Sequence, residues 1–213
     1  MRLVLPRLYV ILDASLLTIP ESECARQLVD AGIRLLQYRN KTASSRDLLE
    51  SSKRLSAELI PRGVTFIVND RADVAALADA SGVHVGQEDL GAEEARAVVG
   101  NKLVGISTHN RAQFERAAAT SADYIAVGPI FSTSTKSNPD PVVGTEFIRQ
   151  VRPLTDKPIV AIGGITLGCA AEVVRAGADS VAVISDILRA PDPGTRARQF
   201  VEILADANHA ASV

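Results

Sequence analysis

Gln37-Tyr38-Arg39-Asn40-Lys41 closes an apolar run and sets an amide, a guanidinium and an ammonium at alternate positions. In an extended strand alternate side chains share a face, so Gln37, Arg39 and Lys41 point one way while Tyr38 and Asn40 point the other. Two full positive charges at the end of a buried strand are costly without a partner, and an anion is the least costly one. A diphosphate suits an arginine fork beside a lysine point charge. An edge strand with its polar face in water is the plain alternative, and the rest of the chain speaks against it.

Further polar groups recur just after apolar runs. Asn69-Asp70-Arg71 and Gly86-Gln87-Glu88-Asp89 follow two of them in succession. If those runs are neighbouring strands, Asp70 and Asp89 converge on one ion, and two carboxylates completed by water and phosphate suit Mg2+. Taken alone, Asp70 would be an N-cap for a helix over Arg71–Ala80, and Asp89 a loop or cap residue. Ser107, in Ser107-Thr108-His109-Asn110, is a hydrogen-bond donor for a ligand or a capping hydroxyl. His109 is a base or a first-turn residue, and His84, between Val83 and Val85, reads as a satisfied interior histidine. Thr133-Ser134-Thr135-Lys136 lies in the long Ser/Thr/Pro-rich stretch Pro129 to Gly144, whose length inside a compact domain predicts a functional loop, a lid over phosphates. Gly163-Gly164-Ile165 and Ile184-Ser185-Asp186 each precede helical sequence, where exposed backbone amides bind phosphate without a charged side chain. A cationic, metal-assisted site facing an amide-lined one predicts a transferase that joins a diphosphate-activated group to a phosphorylated acceptor. No nucleophile or base dominates, which fits chemistry carried by positioning and leaving-group stabilisation.

The elements that position these residues alternate. Strands are predicted at Leu8–Leu12, Leu35–Arg39, Thr65–Asn69, Val83–Val85, Leu103–Ile106, Tyr124–Val127, Ile159–Ile162 and Val181–Ile184. Helical spacing marks the segments between, such as Cys24–Ala31, Asp47–Leu59 and Ala170–Ala176, with Gly32, Gly63, Gly100 and Gly177 as stops. Eight such α/β units within 213 residues predict one domain, 1–213, folded as a (β/α)8 TIM barrel. A doubly wound sheet is the runner-up, but the turn Asp13-Ala14-Ser15 lacks a dinucleotide glycine fingerprint. A net charge of −2 with interspersed signs argues against a nucleic-acid surface, and no apolar segment has the length to span a bilayer. Cys24 and Cys169 are isolated, without metal spacing, and predict buried thiols in a reducing cytoplasm. Partners are expected to be small molecules, with a homo-oligomer possible.

Taken together, Gln37–Lys41, Asn69-Asp70-Arg71, Gly82-Val83-His84-Val85-Gly86-Gln87-Glu88-Asp89-Leu90, Gly105-Ile106-Ser107-Thr108-His109, Asp123–Phe131, Thr133-Ser134-Thr135-Lys136 and Ala161-Ile162-Gly163-Gly164-Ile165 resemble the thiamine phosphate synthase family, in order and over nearly the whole chain. The resemblance implies a barrel enzyme that couples hydroxymethylpyrimidine diphosphate to a thiazole phosphate by a dissociative step. It implies that Gln37, Arg39, Lys41 and Asn69 bind the pyrimidine diphosphate, with Tyr38 and Asn40 of the same segment counted among the substrate-binding positions. Asp70 and Asp89 would hold Mg2+, and Ser107 and Lys136 would contact the pyrimidine substrate or its diphosphate. Arg39, Lys41, Ser107 and Lys136 would carry the catalysis. Thr133, Ser134 and Thr135, with Gly164, Ile184 and Ser185, would hold the thiazole phosphate. Two departures stand out: Asn40 replaces the Glu of the usual Q-Y-R-E-K, and Ser137–Val143 matches no family pattern. A thiazole tautomerase of the same fold would put His109 at the centre of proton transfer but leave the cationic trio and paired aspartates without a purpose. A non-catalytic sensor of thiamine-type phosphates would have little use for metal-site carboxylates.

Overall fold

Eight parallel strands close on themselves in sequence order in the computed structural model, which describes residues 3–133 and 140–209. They are β1 (Leu8–Asp13), β2 (Leu35–Arg39), β3 (Thr65–Asn69), β4 (Gly82–Val85), β5 (Leu103–Thr108), β6 (Tyr124–Val127), β7 (Ile159–Ile162) and β8 (Ser180–Val183). Helices α1 (Glu21–Asp30), α2 (Ser45–Leu59), α3 (Ala72–Leu77), α4 (Ala92–Val99), α5 (Arg111–Ala118), α6 (Gly144–Val151), α7 (Leu167–Arg175), α8 (Ser185–Leu188) and α9 (Pro193–His209) alternate with them. All eight predicted strands exist, four with the predicted ends and four with ends shifted by one or two residues. The helix expected over Arg71–Ala80 is shorter, Ala72–Leu77, and the four stop glycines all take positive φ.

The strand alternation produces two separate cores. Leu8, Val10 and Leu12 of β1 face the helices and join the large outer cluster, whereas Tyr9 and Ile11 face inward. Leu5, Leu35, Ile67, Tyr124, Ala126, Val160 and Ala182 complete that inner cluster, so the barrel is filled with side chains rather than open. Inward parity then runs on to the carboxyl ends of the strands. The register Ile11↔Gln37, Asp13↔Arg39, Asn69↔His84 and Ser107↔Ala126 sets polar residues directly above this apolar plug.

The opposite face is braced. Asp123 accepts Val104 N at 2.8 Å and Arg96 Nη2, and Asp179 accepts Ile159 N at 2.8 Å and Arg152 Nη1, so one carboxylate ties a strand start to a helix in each case. These braces lie at the amino-terminal ends of the strands, away from the carboxyl-terminal rim where barrels carry function.

Candidate active site

A cavity of about 350 Å³ opens at the carboxyl-terminal rim of the strands. From β2 come Gln37 and Arg39, with Lys41 just beyond; Asn69 closes β3 and Asp70 follows it. The turn after β4 supplies Asp89, β5 supplies Ser107, and the segment after β6 supplies Thr133. Gly164 enters after β7, and Ile184 and Ser185 after β8. Eleven positions expected from the sequence therefore share one cavity. Ser134, Thr135 and Lys136 lie outside the described residues.

Two expected positions are not there. Tyr38 and Asn40 have the opposite parity on β2 and turn into the helical layer. The Tyr38 hydroxyl donates to Glu21 Oε1 at 2.5 Å, at the start of α1, and accepts from Asn40 Nδ2 at 3.2 Å. Asn40 Oδ1 in turn accepts Thr42 N at 3.2 Å and Ala43 N at 3.0 Å, which shapes the turn carrying Lys41. Asn40 thus acts behind the cationic trio, and its amide satisfies a phenol already committed to a carboxylate. Asn40→Glu would crowd a second carboxylate against Glu21 and break the Asn turn. It should cost about 1 kcal/mol of stability, measured by urea unfolding, despite restoring the usual family residue. A midpoint at or above wild type would show that Glu21 tolerates the added charge.

The trio also differs from expectation in its partners. Arg39 Nη1 pairs with Asp13 Oδ2, and Asp13 is buried at the end of β1. Lys41 Nζ pairs with Asp70 Oδ2. An external anion is therefore not the only group that balances these charges. The second pair is half open to water on the lysine side and worth little, so it can be exchanged. Sequence reasoning missed Asp13, which weighed there only as part of a turn without a glycine fingerprint; it also caps that turn, its Oδ1 accepting Ser15 N at 3.0 Å.

Asp70 is not the N-cap of α3. Its φ of +62° carries the chain out of β3 in the left-handed region and turns its carboxyl into the cavity. Burial foremost, then the adjacent Asp89 carboxylate, raise its pKa above the ordinary range, with Lys41 opposing. Asp89 is itself held by Gly86 N at 2.8 Å. Two carboxylates within hydrogen-bonding reach of one another, Asp70 partly desolvated and Asp89 exposed, fit a divalent cation, since a positive ion relieves both their repulsion and the burial of Asp70. No group of three or more such ligands exists among the described residues, so water and substrate oxygens would complete the shell.

The floor of the cavity is polar and buried. His84 has Ser107 Oγ 2.8 Å from Nε2 and the Tyr124 hydroxyl 3.1 Å from Nδ1. Burial lowers its pKa to about 4 against a smaller upward pull from Asp89, so the ring is neutral near pH 7. It is the satisfied interior histidine expected. His109 precedes α5 rather than sitting in its first turn; Nδ1 meets Gly128 O at 2.7 Å, and Nε2 lies 3.6 Å from Asp140. Across the cavity, Gly164 has φ +63°, and a Cβ there would come within 2.4 Å of Ser132 O. That glycine lets the β7 turn pack under the segment after β6, where no other residue fits. Tyr9 and Ile11 also line the cavity, unforeseen, with the inward parity of β1 as their only signal, and Gln87 joins them from the polar run after β4.

The chain is similar over most of its length to known proteins. A family model described as thiamine monophosphate synthase matches residues 8–187. A thiamine-phosphate synthase of Koribacter versatilis is 52% identical over 210 residues, covering 95% of this chain and 97% of that protein. One from Chloroflexus aurantiacus is 44% identical, covering 91% and 90%. The solved thiamine phosphate pyrophosphorylase of Pyrococcus furiosus superposes with a TM-score of 0.87 at 33% identity, over 94% of this chain and 96% of that one.

Proposed function

The chain belongs to the thiamine monophosphate synthase family and catalyses thiamine phosphate synthesis, and from that premise we propose how its cavity divides the work. The β2–β4 side receives hydroxymethylpyrimidine diphosphate, and the β7–β8 side receives the thiazole phosphate. What supports this reading above all is that Arg39, Lys41, Asp70 and Asp89 occupy one end of a single cavity whose other end holds Gly164 and Ser185.

Arg39 and Lys41 bind diphosphate oxygens, Lys41 exchanging its exposed Asp70 contact for them. Asn69 and Gln37 orient the pyrimidine, and Ser107 meets its ring edge. Backbone at Gly164 and Ser185, with Thr133, Ser134 and Thr135, holds the thiazole phosphate. The pyrimidine methylene C–O bond breaks with its electron pair leaving on diphosphate, and the thiazole nitrogen lone pair forms the new C–N bond. Asp70 and Asp89 would hold Mg2+, which when bound supplies positive charge to the departing diphosphate. The carboxylates Asp13, Asp70 and Asp89 outnumber Arg39 and Lys41, so those two side chains alone leave a diphosphate short of positive charge. Lys136, outside the described residues, would add a further cation, as the resemblance implies. Both thiols are free, Cys24 buried as expected and Cys169 only partly so, and they support a cytoplasmic setting. Among the described residues no helix is long and apolar enough to cross a membrane.

The test mixes both substrates with the protein and measures thiamine phosphate and diphosphate. Product with Mg2+, its loss on chelation and its return on adding Mg2+ back are expected. Isomerised thiazole alone would favour a tautomerase, and tight binding without turnover would favour a sensor.

A further inference from the structure

Five polar side chains form one unbroken hydrogen-bond chain beneath the cavity. Gln37 Nε2 donates to the Tyr9 hydroxyl at 2.8 Å, and the Tyr9 and Tyr124 hydroxyls lie 3.1 Å apart. Tyr124 then meets His84 Nδ1 at 3.1 Å, and His84 Nε2 meets Ser107 Oγ at 2.8 Å. Its two ends, Gln37 and Ser107, are two of the three residues assigned above to the pyrimidine. The three between have had no role.

Counting protons gives the chain a direction. A phenol and a neutral imidazole each have one proton to donate. Tyr9 accepts from Gln37, so its own proton goes to Tyr124, the remaining partner. Tyr124 then donates to His84 Nδ1. The imidazole must therefore carry its proton on Nε2 and donate it to Ser107 Oγ. Run the other way, Tyr9 would accept twice and strand its own proton at a site 1% exposed, which folded proteins avoid.

We propose that Tyr9, Tyr124 and His84 are positioning residues that fix Ser107 as a hydrogen-bond donor, so that the cavity selects a ring edge presenting an unprotonated heteroaromatic nitrogen. The proposal rests on the assignment of Ser107 to the pyrimidine substrate. The packing is built for it. A Cβ at Gly105 would lie 2.4 Å from the Tyr124 hydroxyl, so β5 gives up a side chain to seat that phenol. His84 stacks on Tyr124 with centroids 5.5 Å apart, and Tyr9 meets it edge-on at 6.2 Å. Burial keeps both phenols protonated and the imidazole neutral.

The test is nitrogen NMR on the full chain labelled at its three histidines, His84 being assigned by difference against His109→Gln and His209→Gln. The expected result is His84 protonated at Nε2 near neutral pH. Tyr9→Phe should retain that tautomer, because Tyr124 still donates, whereas Tyr124→Phe should lose it. Tyr124→Phe should also raise KM for the pyrimidine diphosphate about tenfold with KM for the thiazole phosphate unchanged, a split that mere loss of stability does not produce. An Nδ1-protonated ring in the wild type, or wild-type tautomer and kinetics in Tyr124→Phe, would overturn the proposal. If Tyr124→Phe does not fold, the wild-type tautomer decides alone. A wild type that forms no thiamine phosphate overturns the functional reading instead, and the two failures are separable.

Discussion

Asp70→Asn is expected to lower kcat/KM for coupling by about thirtyfold or more, roughly 2 kcal/mol of transition-state stabilisation, without unfolding the protein. Asparagine is the informative replacement because Asp70 sits at φ +62°, where Asn is tolerated and Ala is strained. The substitution removes one of two facing carboxylates and leaves the geometry. Its effect on stability has the opposite sign. Burial and Asp89 raise the folded-state pKa of Asp70, so the folded protein binds more protons than the unfolded chain above the ordinary aspartate value. Stability therefore falls as pH rises through that window. In chelator, Asp70→Asn should melt at or slightly above wild type at neutral pH, with the advantage gone below about pH 4. The lost Lys41 contact is mostly exposed and subtracts little. Added Mg2+ should raise the melting temperature of the wild type and not of the variant. Wild-type turnover in Asp70→Asn would remove Asp70 from the metal set.

The barrel was legible because each unit announces itself twice, by an apolar β-rich run and by three- and four-residue apolar spacing after it. Parity carried the site: once β2 is a strand, Gln37 and Arg39 must face inward with Lys41 following. The same rule should have excluded Tyr38, which the resemblance drew in with its neighbours. Three features needed coordinates. The left-handed turn at Asp70 converts an apparent cap into a cavity carboxylate, and no residue type specifies that backbone choice. The buried partner of Arg39 lies on another strand and emerges only from the register Asp13↔Arg39. Tyr9 and Tyr124, 115 residues apart, look like ordinary interior aromatics until the barrel closes and brings their hydroxyls together.

Arg39→Met is expected to damage stability and activity by separable routes. Asp13 is 2% exposed at its side chain and Arg39 24%, so Arg39 gives that carboxylate its charge partner. Removing the guanidinium leaves Asp13 Oδ2 buried beside methylenes, while Oδ1 keeps Ser15 N and Oγ. Breaking such a pair from one side costs about 3 kcal/mol, or roughly 6–12 °C of melting temperature in a chain of this size. Asp13→Asn should cost less, because the stranded arginine is partly open to water and to substrate. The double variant should regain much of the loss, since the uncompensated charge is gone, and the cycle should show coupling of at least about 1 kcal/mol. Activity should not follow. Without the fork, the diphosphate loses a bidentate partner in both Arg39→Met and the double variant, and coupling should stay at least about a hundredfold down in each. Unchanged melting in Arg39→Met would mean that Asp13 is solvated well enough to need no partner. Restored coupling in the double variant would mean that Arg39 serves the fold and not the diphosphate.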